Sequence, residues 1–346
     1  MIKKKHTIKD IAKLAGVSKG TVDRVLHKRG KVSNKAYAKV DKVLKEIEYV
    51  PNPIARNLKK NKIYRICVLM PDSLIDPYWI PAYQGIKEAG KEFKPFGVIV
   101  DEYLYHPHKK SAFIEKSQEA MLSKPDVLLM APLFQEESLG ILNDCKKENI
   151  RVTLFNNYIS TADSEIFIGQ DLYQSGKVAA GLVDKMVSHD SHIAIIHLNM
   201  EDHMQLKENG FRAYFDENKK CSRLLEVQNF KTDDIHQLEK NVTSFLDSHQ
   251  KIGAIFITNS KAHIIVNALQ HNNYDSIVVG YDLLDENIAY LNAGKIDFLI
   301  HQKPKRQAYL GVAYFAEFFL FGKKIPAQQL LPIDIITAEN VKYYLE

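Results

Sequence analysis

Residues 7–26 place basic and small side chains where they suit contact with DNA. The stretch reads TIKDIAKLAGVSKGTVDRVL, and Lys19, Gly20 and Arg24 follow its central Gly16. An arginine can donate two hydrogen bonds to guanine O6 and N7 in the major groove, and a glycine lets the backbone approach closely. We therefore interpret Lys19, Gly20 and Arg24 as candidate base-reading residues.

The same stretch predicts two short helices joined by a tight turn, the geometry that inserts one helix into the major groove. Thr7 and Asp10 have the spacing of a capping box, Gly16 ends the first helix and Ser18 caps the second. The buried face of the first helix is predicted to be Ile8, Ile11, Ala12 and Ala15, and the core between the helices Ala12, Val17, Val22 and Val25. A third helix is predicted to open at Val32-Ser33, burying Tyr37, Val40, Val43, Leu44 and Ile47.

Asp23 is unexpected among these basic residues, because a carboxylate beside phosphates is repelled. Two interpretations stay open. Asp23 accepts a hydrogen bond from cytosine N4, or it orients Arg24 or Arg29.

The charge of the chain is divided unevenly. Residues 1–62 hold 18 Lys and Arg against 5 Asp and Glu, whereas residues 63–346 hold 29 against 37. A cationic module on an acidic body indicates a polyanionic partner for the module, and such binding depends steeply on salt. A solvated basic face is the alternative for charge alone.

From Tyr64 onward, short apolar strands alternate with amphipathic helices, which predicts parallel sheets covered by helices on both faces. Two such sheets fit the length. The predicted strands are 65–70, 98–103, 127–130, 152–155, 192–197, 224–228, 254–258, 277–281 and 298–301, and the predicted helices include 80–93, 136–149, 175–188 and 233–247.

Polar side chains follow several of these strands. Since ligands bind outside the carboxyl ends of strands in open α/β sheets, two facing lobes would form a ligand cleft. Carboxylates and amides suit sugar hydroxyls, and aromatic faces suit the apolar side of a sugar ring. The candidate effector-binding residues are Asp76, Tyr78, Trp79, Asn156, Lys207, Asn259, Asp282 and Gln302.

Three of these candidates carry alternatives. Asp282 is the firmest choice, with a helix N-cap as the alternative. For Trp79 the alternative is a hydrophobic plug between the lobe and the hinge. Lys207 is predicted to open a helix, and it keeps an acidic or phosphorylated sugar possible.

Composition and motifs exclude other classes. The N-terminus has no apolar segment of the secretory type, and no apolar run reaches the roughly 20 residues that span a bilayer. Cys67, Cys145 and Cys221 indicate reduced cytosolic thiols. The histidine pairs 106/108, 197/203 and 263/271 lack metal-site spacing. No G-x-S-x-G, P-loop or G-x-G-x-x-G motif is present, so we expect no enzyme, cofactor or metal.

The chain resembles the lactose-repressor (LacI) family. The stretch 7–26, VSNKAYAKV at 32–40 and YVPNPIARNLK at 49–59 carry the resemblance in the head. In the body it rests on IGQDLYQSGKVAA at 168–180, KENGF at 207–211, IFITN at 255–259, VVGYD at 278–282 and IHQKP at 300–304.

The resemblance implies contacts that spacing alone does not. It implies that Leu58 enters the minor groove as a wedge, the alternative being a linker leucine packed on the body. It also places Asn156 and Lys207 where many relatives have an acidic residue and an arginine. The implied DNA contacts are Thr7, Ser18, Lys19, Gly20, Thr21, Arg24, Lys35, Asn52, Ala55, Arg56, Leu58 and Lys59.

We therefore expect an all-α helix-turn-helix domain at 1–48, a hinge at 49–62 and a two-lobed α/β body of the periplasmic-binding-protein type at 63–346. The expected function is a ligand-responsive repressor in the bacterial cytoplasm, on the nucleoid. It would bind a palindromic operator as a homodimer, respond to a monosaccharide or derivative, and have no membrane partner. A sugar-binding transport protein and, less favoured, an α/β enzyme of sugars or nucleotides are the alternatives.

Overall fold

The computed structural model describes residues 6–27, 29–47, 49, 62–159, 166–232, 234–249, 251–269 and 275–345. The chain separates into two compact units, Met1–Lys62 and Ile63–Glu346, each with its own core. We call the first unit the head and the second the body.

Three helices form the described part of the head. Thr7 and Asp10 make the predicted capping box, and Gly16 ends the first helix in the left-handed conformation (φ 63°) that favours glycine. Ser18 and Ser33 cap the next two helices by accepting hydrogen bonds from Thr21 N and Ala36 N. The helices are α1 (Ile8–Ala15), α2 (Lys19–Leu26) and α3 (Asn34–Glu46).

A small apolar core holds these helices together, and it consists of Ile11, Ala12, Ala15, Val22, Val25, Val40 and Val43. Ile8, Val17, Leu44 and Ile47 pack against this core but are only partly buried. The prediction for Tyr37 was wrong, since its exposed fraction is 48%. Tyr37 lies in the first turn of α3, whereas the buried part of that helix is formed by Val40 and Val43.

The body contains two six-stranded sheets. The first, in lobe 1, has the order β11-β5-β4-β3-β1-β2 and is parallel throughout. Its strands are β1 (Tyr64–Pro71), β2 (Val98–Tyr105), β3 (Val127–Met130), β4 (Arg151–Phe155), β5 (Ile166–Gly169) and β11 (Gln328–Leu330).

The second sheet, in lobe 2, has the order β12-β10-β9-β8-β6-β7. All its neighbours are parallel except β10 and β12, which pair antiparallel. Its strands are β6 (His192–Leu198), β7 (Gln228–Phe230), β8 (Ile252–Ile257), β9 (Ile277–Tyr281), β10 (Phe298–His301) and β12 (Asp334–Ile336).

Helices cover the sheets. Those of lobe 1 are α4 (Ile80–Phe93), α5 (Lys110–Leu122), α6 (Gln135–Lys147) and α12 (Pro304–Phe321). Those of lobe 2 are α7 (Leu172–Met186), α8 (Asp202–Glu217), α9 (Ile235–Ser248), α10 (Ala262–Leu269) and α11 (Asp285–Asn292). Among the helices that the structure describes, none is long and apolar enough to cross a membrane.

Two predicted elements need correction. A strand was predicted at 224–228, but β7 starts at Gln228, and Leu224 makes only an isolated bridge to Ile193 after a 3₁₀ turn at Cys221–Arg223. Lys207 does not open a helix but lies inside α8, which begins at Asp202. The short strands β5, β11 and β12 were not predicted, because three or four residues show no clear periodicity.

The chain crosses between the lobes three times. It leaves lobe 1 after β5, returns to lobe 1 after β10, and leaves again after β11. The crossover segments are residues 170–171, 302–303 and 331–333.

Candidate functional site

The helix-turn-helix of the head presents its predicted base readers to solvent. Lys19, Gly20 and Arg24 are exposed on α2, and Lys35 is exposed on α3. Their positions leave these groups free for contact with DNA.

Thr7, Ser18 and Thr21 have local partners in the head. Thr7 and Ser18 accept capping hydrogen bonds, and the Ser18 and Thr21 hydroxyl oxygens lie 2.9 Å apart. Asp23 Oδ1 lies 3.7 Å from His27 Nε2, one helical turn away, a contact that we did not consider from the sequence.

Several predicted DNA contacts fall outside the residues that the structure describes. They are Asn52, Ala55, Arg56, Leu58 and Lys59. Their roles stay predictions.

The second candidate site is a cavity between the two lobes of the body, at the carboxyl ends of the strands. All eight residues predicted for it from the sequence line the same cavity. Asp76, Tyr78, Trp79 and Asn156 come from lobe 1, Lys207, Asn259 and Asp282 from lobe 2, and Gln302 from the second crossover.

The backbone turns sharply where strands reach this cavity. Asn156, Asn199 and Asp282 directly follow β4, β6 and β9, and each has a positive φ, of 69°, 51° and 62°. Asn and Asp tolerate the left-handed region better than other non-glycine residues. The conformation therefore accounts for the type of residue at three strand ends.

Asp282 is buried, with an exposed fraction of 2%, and is held by Gln302. Its Oδ1 accepts from Gln302 N at 3.1 Å, and its Oδ2 accepts from Gln302 Nε2 at 2.6 Å. The following helix, α11, takes Leu284 as its N-cap residue. Asp282 therefore does not cap that helix, and its carboxylate is positioned at the cavity by an amide.

Lys207 brings a buried ammonium group to the same cavity. Its Nζ donates to Thr258 O at 3.0 Å and lies 3.7 Å from the centre of the Tyr281 ring. Burial lowers the pKa of Lys207 to about 8, although the charges of Asp282 and Glu201 oppose the shift. An ammonium with one carbonyl partner and one aromatic face still has donors for a bound oxygen.

A network behind Lys207 fixes Thr258. His197 Nδ1 lies 2.6 Å from Thr258 Oγ1, and His197 Nε2 lies 2.8 Å from Glu208 Oε2. Arg212 Nε donates to Glu208 Oε1 at 2.6 Å. Since Thr258 precedes Asn259, the network holds both the carbonyl partner of Lys207 and the cavity residue beside it.

Aromatic side chains form one wall of the cavity. Trp79 packs edge-on against Tyr78 and Phe155, and its exposed fraction is 2%. Asn156 Nδ2 donates to the Tyr78 hydroxyl. Trp79 thus belongs to the core of lobe 1 and borders the cavity as well.

Sequence reasoning missed part of the lining, mostly from loops and the first turn of α8. Burial lowers the pKa of His203 to about 3, so its imidazole is neutral near pH 7. Burial raises the pKa of Glu201, with the charge of Lys261 acting against it and that of Asp76 adding to it. The missed residues are Pro107, His108, Leu133, Asn157, Leu198, Asn199, Glu201, His203, Met204, Ser260 and Lys261.

Asn199 was within reach of the strand-end rule, because it follows β6 as Asn156 follows β4. The other missed residues lack such a signal. In the described ranges, no group of three His, Cys, Asp or Glu side chains is arranged to hold a metal ion.

Two family profiles match the chain in succession. One, described as periplasmic binding protein domain, matches residues 66–324, and the other, described as bacterial regulatory proteins, lacI family, matches residues 7–52. Together they span the head and most of the body.

Similar proteins have the same division. The chain is 26% identical to the HTH-type transcriptional regulator DegA of Bacillus subtilis over 214 residues, 62% of this chain and 61% of that protein. It is 39% identical to the ribose operon repressor of Escherichia coli over 83 residues, 24% of this chain and 25% of that one. The matches therefore span about three fifths and a quarter of these relatives.

A solved structure agrees with the fold of the body. A crystal structure from Bacteroides fragilis, provisionally described as a LacI transcriptional regulator, superposes with a TM-score of 0.76 at 27% sequence identity. The match covers 82% of this chain and 100% of that one.

Proposed function

Because the chain belongs to the LacI family of bacterial regulatory proteins, we propose that it is a ligand-responsive transcription repressor of the bacterial cytoplasm, bound to DNA on the nucleoid. One observation carries the proposal. The same chain joins an exposed basic helix-turn-helix to a body whose two lobes enclose a cavity lined by polar strand-end residues. The names of the relatives, which are those of transcription regulators, support regulation over catalysis.

The head binds double-stranded operator DNA in this proposal. Helix α2 lies in the major groove, where Arg24 reads a guanine and Lys19 contacts the neighbouring bases. A homodimer places two such helices on a palindromic operator, one or more helical turns apart. Leu58 acts as a minor-groove wedge that kinks the central step.

The effector is a monosaccharide or a close derivative held between the lobes. Asp282 accepts from sugar hydroxyls, Lys207 and Asn259 donate to sugar oxygens, and Tyr78 covers an apolar ring face. The mixture of amide, carboxylate and ammonium groups beside aromatic rings supports this class. The name of the ribose operon repressor agrees with it.

Binding of the effector changes the arrangement of the lobes and thereby the affinity of the head for DNA. By linkage, operator DNA then changes the affinity for the effector by the same factor. A sugar-binding transport protein would show no such coupling, since it has no use for an operator.

Selection of DNA from a random pool with the full-length protein tests the DNA-binding half of the proposal. We expect a palindromic consensus that Arg24→Ala relaxes at one base pair in each half-site. Retention of DNA without any enriched sequence would contradict a role as an operator-binding regulator.

A panel of D-ribose, D-arabinose, D-glucose, D-galactose and myo-inositol tests the effector half, by thermal shift followed by calorimetry. We expect at least one compound to raise the melting temperature and to change operator affinity. A compound that binds but leaves operator affinity unchanged would favour the transport protein.

A further inference from the structure

The three crossover segments between the lobes meet at one buried side chain. Gln170, in the first crossover, has an exposed fraction of 2%. Its Nε2 donates to His301 O, at the start of the second crossover, at 3.1 Å, and to Pro332 O, in the third crossover, at 3.2 Å. A single amide thus joins all three connections through which the chain passes from lobe to lobe.

Other contacts tie the crossovers together. Leu331 N donates to Gly169 O at 2.8 Å, and Lys303 Nζ lies 2.7 Å from Asp334 Oδ2. Gln307 Nε2 donates to Gln302 O at 2.7 Å. The crossovers therefore form one connected hinge, with Gln170 at its centre.

The same hinge contains polar atoms that oppose this arrangement. Gln170 Oε1, His301 Nδ1 and Gln307 Oε1 are buried and have no hydrogen-bond partner among the described residues. Lys303 has a φ of 58°, which is strained for a lysine. Unpaired buried polar atoms are costly and rare in folded proteins, and strain that collects at one segment is typical of switch regions.

The hinge also adjoins the cavity. His301 Nδ1 lies 3.8 Å from Asp282 Oδ1, and Gln302, the next residue, donates twice to the Asp282 carboxylate. Gln170 itself does not line the cavity. A change at Gln170 can therefore reach the cavity only through the hinge.

We propose that Gln170 is a positioning residue that sets the balance between two arrangements of the lobes. The two hydrogen bonds of its Nε2 hold the arrangement seen here, and the unpaired Oε1 favours a second arrangement in which that oxygen gains a donor. The effect on lobe motion stands on the geometry of the hinge, whereas its effect on effector response rests on the proposed function.

Distance measurement between the lobes tests the proposal without any ligand. Spin labels are placed at Glu115→Cys in α5 and Lys240→Cys in α9, both exposed, on a Cys221→Ser background. Cys67 and Cys145 are fully buried and do not react in the folded protein. Electron–electron double resonance then gives the distribution of distances between the lobes.

Gln170→Met keeps the length of the side chain and removes both donors and the unpaired oxygen. We expect it to shift or broaden the distribution, whereas Gln174→Met, an exposed glutamine four residues away, leaves it as in the unsubstituted protein. Gln170→Glu, which keeps the oxygens and removes the donors, is measured alongside in case the methionine variant is unstable. Distributions that superpose on the control in the folded variants would overturn the proposal.

Calorimetry with the sugars of the panel separates positioning from direct contact. A hinge residue changes the affinity for all bound sugars by one common factor, which we expect to be at least threefold in Gln170→Met. A change in the order of preference among sugars would mean that Gln170 contacts the ligand and would overturn the assignment. If no sugar binds the unsubstituted protein, the effector class is wrong, while the distance distributions still decide the role of Gln170.

Discussion

Asp282 combines two tasks at the scale of the single residue. Its two carboxylate oxygens accept from the backbone and side-chain nitrogens of Gln302, which fixes the carboxylate at the end of β9. Carboxylate oxygens keep lone pairs for further donors, so Asp282 can still accept from sugar hydroxyls. A residue held in this way loses little conformational freedom when a ligand binds.

Asp282→Ala should lower sugar affinity by roughly ten- to a hundredfold, since a hydrogen bond to a charged group contributes about 1.5–3 kcal/mol. Effector-free operator binding should stay near normal, because the head is untouched. Calorimetry with the sugar selected from the panel measures the loss, and Asp285→Ala, an exposed carboxylate three residues away, is the control. An unchanged affinity would remove Asp282 from the site.

Lys207 predicts a pH dependence of effector binding. Its pKa of about 8 means that the ammonium loses its proton as the pH rises from 7 to 9. If the ammonium donates to the sugar, affinity should fall roughly tenfold over that range, following the protonated fraction. Lys207→Met should bind more weakly at pH 7 and show no such slope. Equal slopes in both proteins would assign the pH dependence to another group.

Arg24 predicts the effect of one base reader. Arg24→Ala should cost about 1–3 kcal/mol of operator affinity and relax specificity at one base pair, since the side chain reads a base edge. Lys35→Ala, a phosphate contact, should weaken all sequences alike and flatten the salt dependence. Unaltered base preference in Arg24→Ala would restrict Arg24 to backbone contact.

At the scale of elements, the position of Lys207 depends on how closely α8 packs against α7. A Cβ atom on Gly210 would lie 1.8 Å from Tyr173 O, and one on Gly176 would lie 2.0 Å from Lys207 O. Backbone atoms cannot give way as a side chain can. The two glycines therefore let the helices approach to a distance that places the ammonium over the Tyr281 ring.

Gly210→Ala should destabilise the protein by about 1–3 kcal/mol, because the added methyl group overpacks a helix interface. It should also weaken sugar binding, since α8 must shift. Gly181→Ala is the control in the partner helix, because a Cβ there meets only ordinary contacts, 3.6 Å from the Tyr214 ring. Denaturant unfolding measures both, and equal stability of the two variants would contradict the close approach.

At the scale of the whole molecule, the division at Lys62/Ile63 separates two units with their own cores. Removal of residues 1–62 should leave a body that unfolds cooperatively and binds the selected sugar with unchanged affinity. The truncated protein should have no operator affinity, because the basic helices are gone. Gel shift and calorimetry on the two proteins check these outcomes, and specific operator binding by the body alone would disprove the assignment of the head.

Much of the chain was predictable because its signals are local. The capping residues of the head, the turn at Gly16 and the strands at 127–130, 277–281 and 298–301 depend on neighbours a few positions away. The strand-end rule found Asn156, Asn259, Asp282 and Gln302 for the same reason. Tyr37 fits the periodicity of its helix as well as Val40 does, yet only Val40 is covered, so pattern alone could not assign it.

The remaining part of the site was decided by distant segments that meet only in the folded chain. Glu201, His203 and Lys261 carry no strand-end signal, and they reach the cavity because loops of lobe 2 face lobe 1. Gln170 is the extreme case, since its acceptors lie 131 and 162 positions away along the chain. Helix caps and strand ends follow from short-range sterics and hydrogen bonding, whereas the pKa of Lys207 and the contacts of the hinge depend on which surfaces exclude water together, and that is set by tertiary packing.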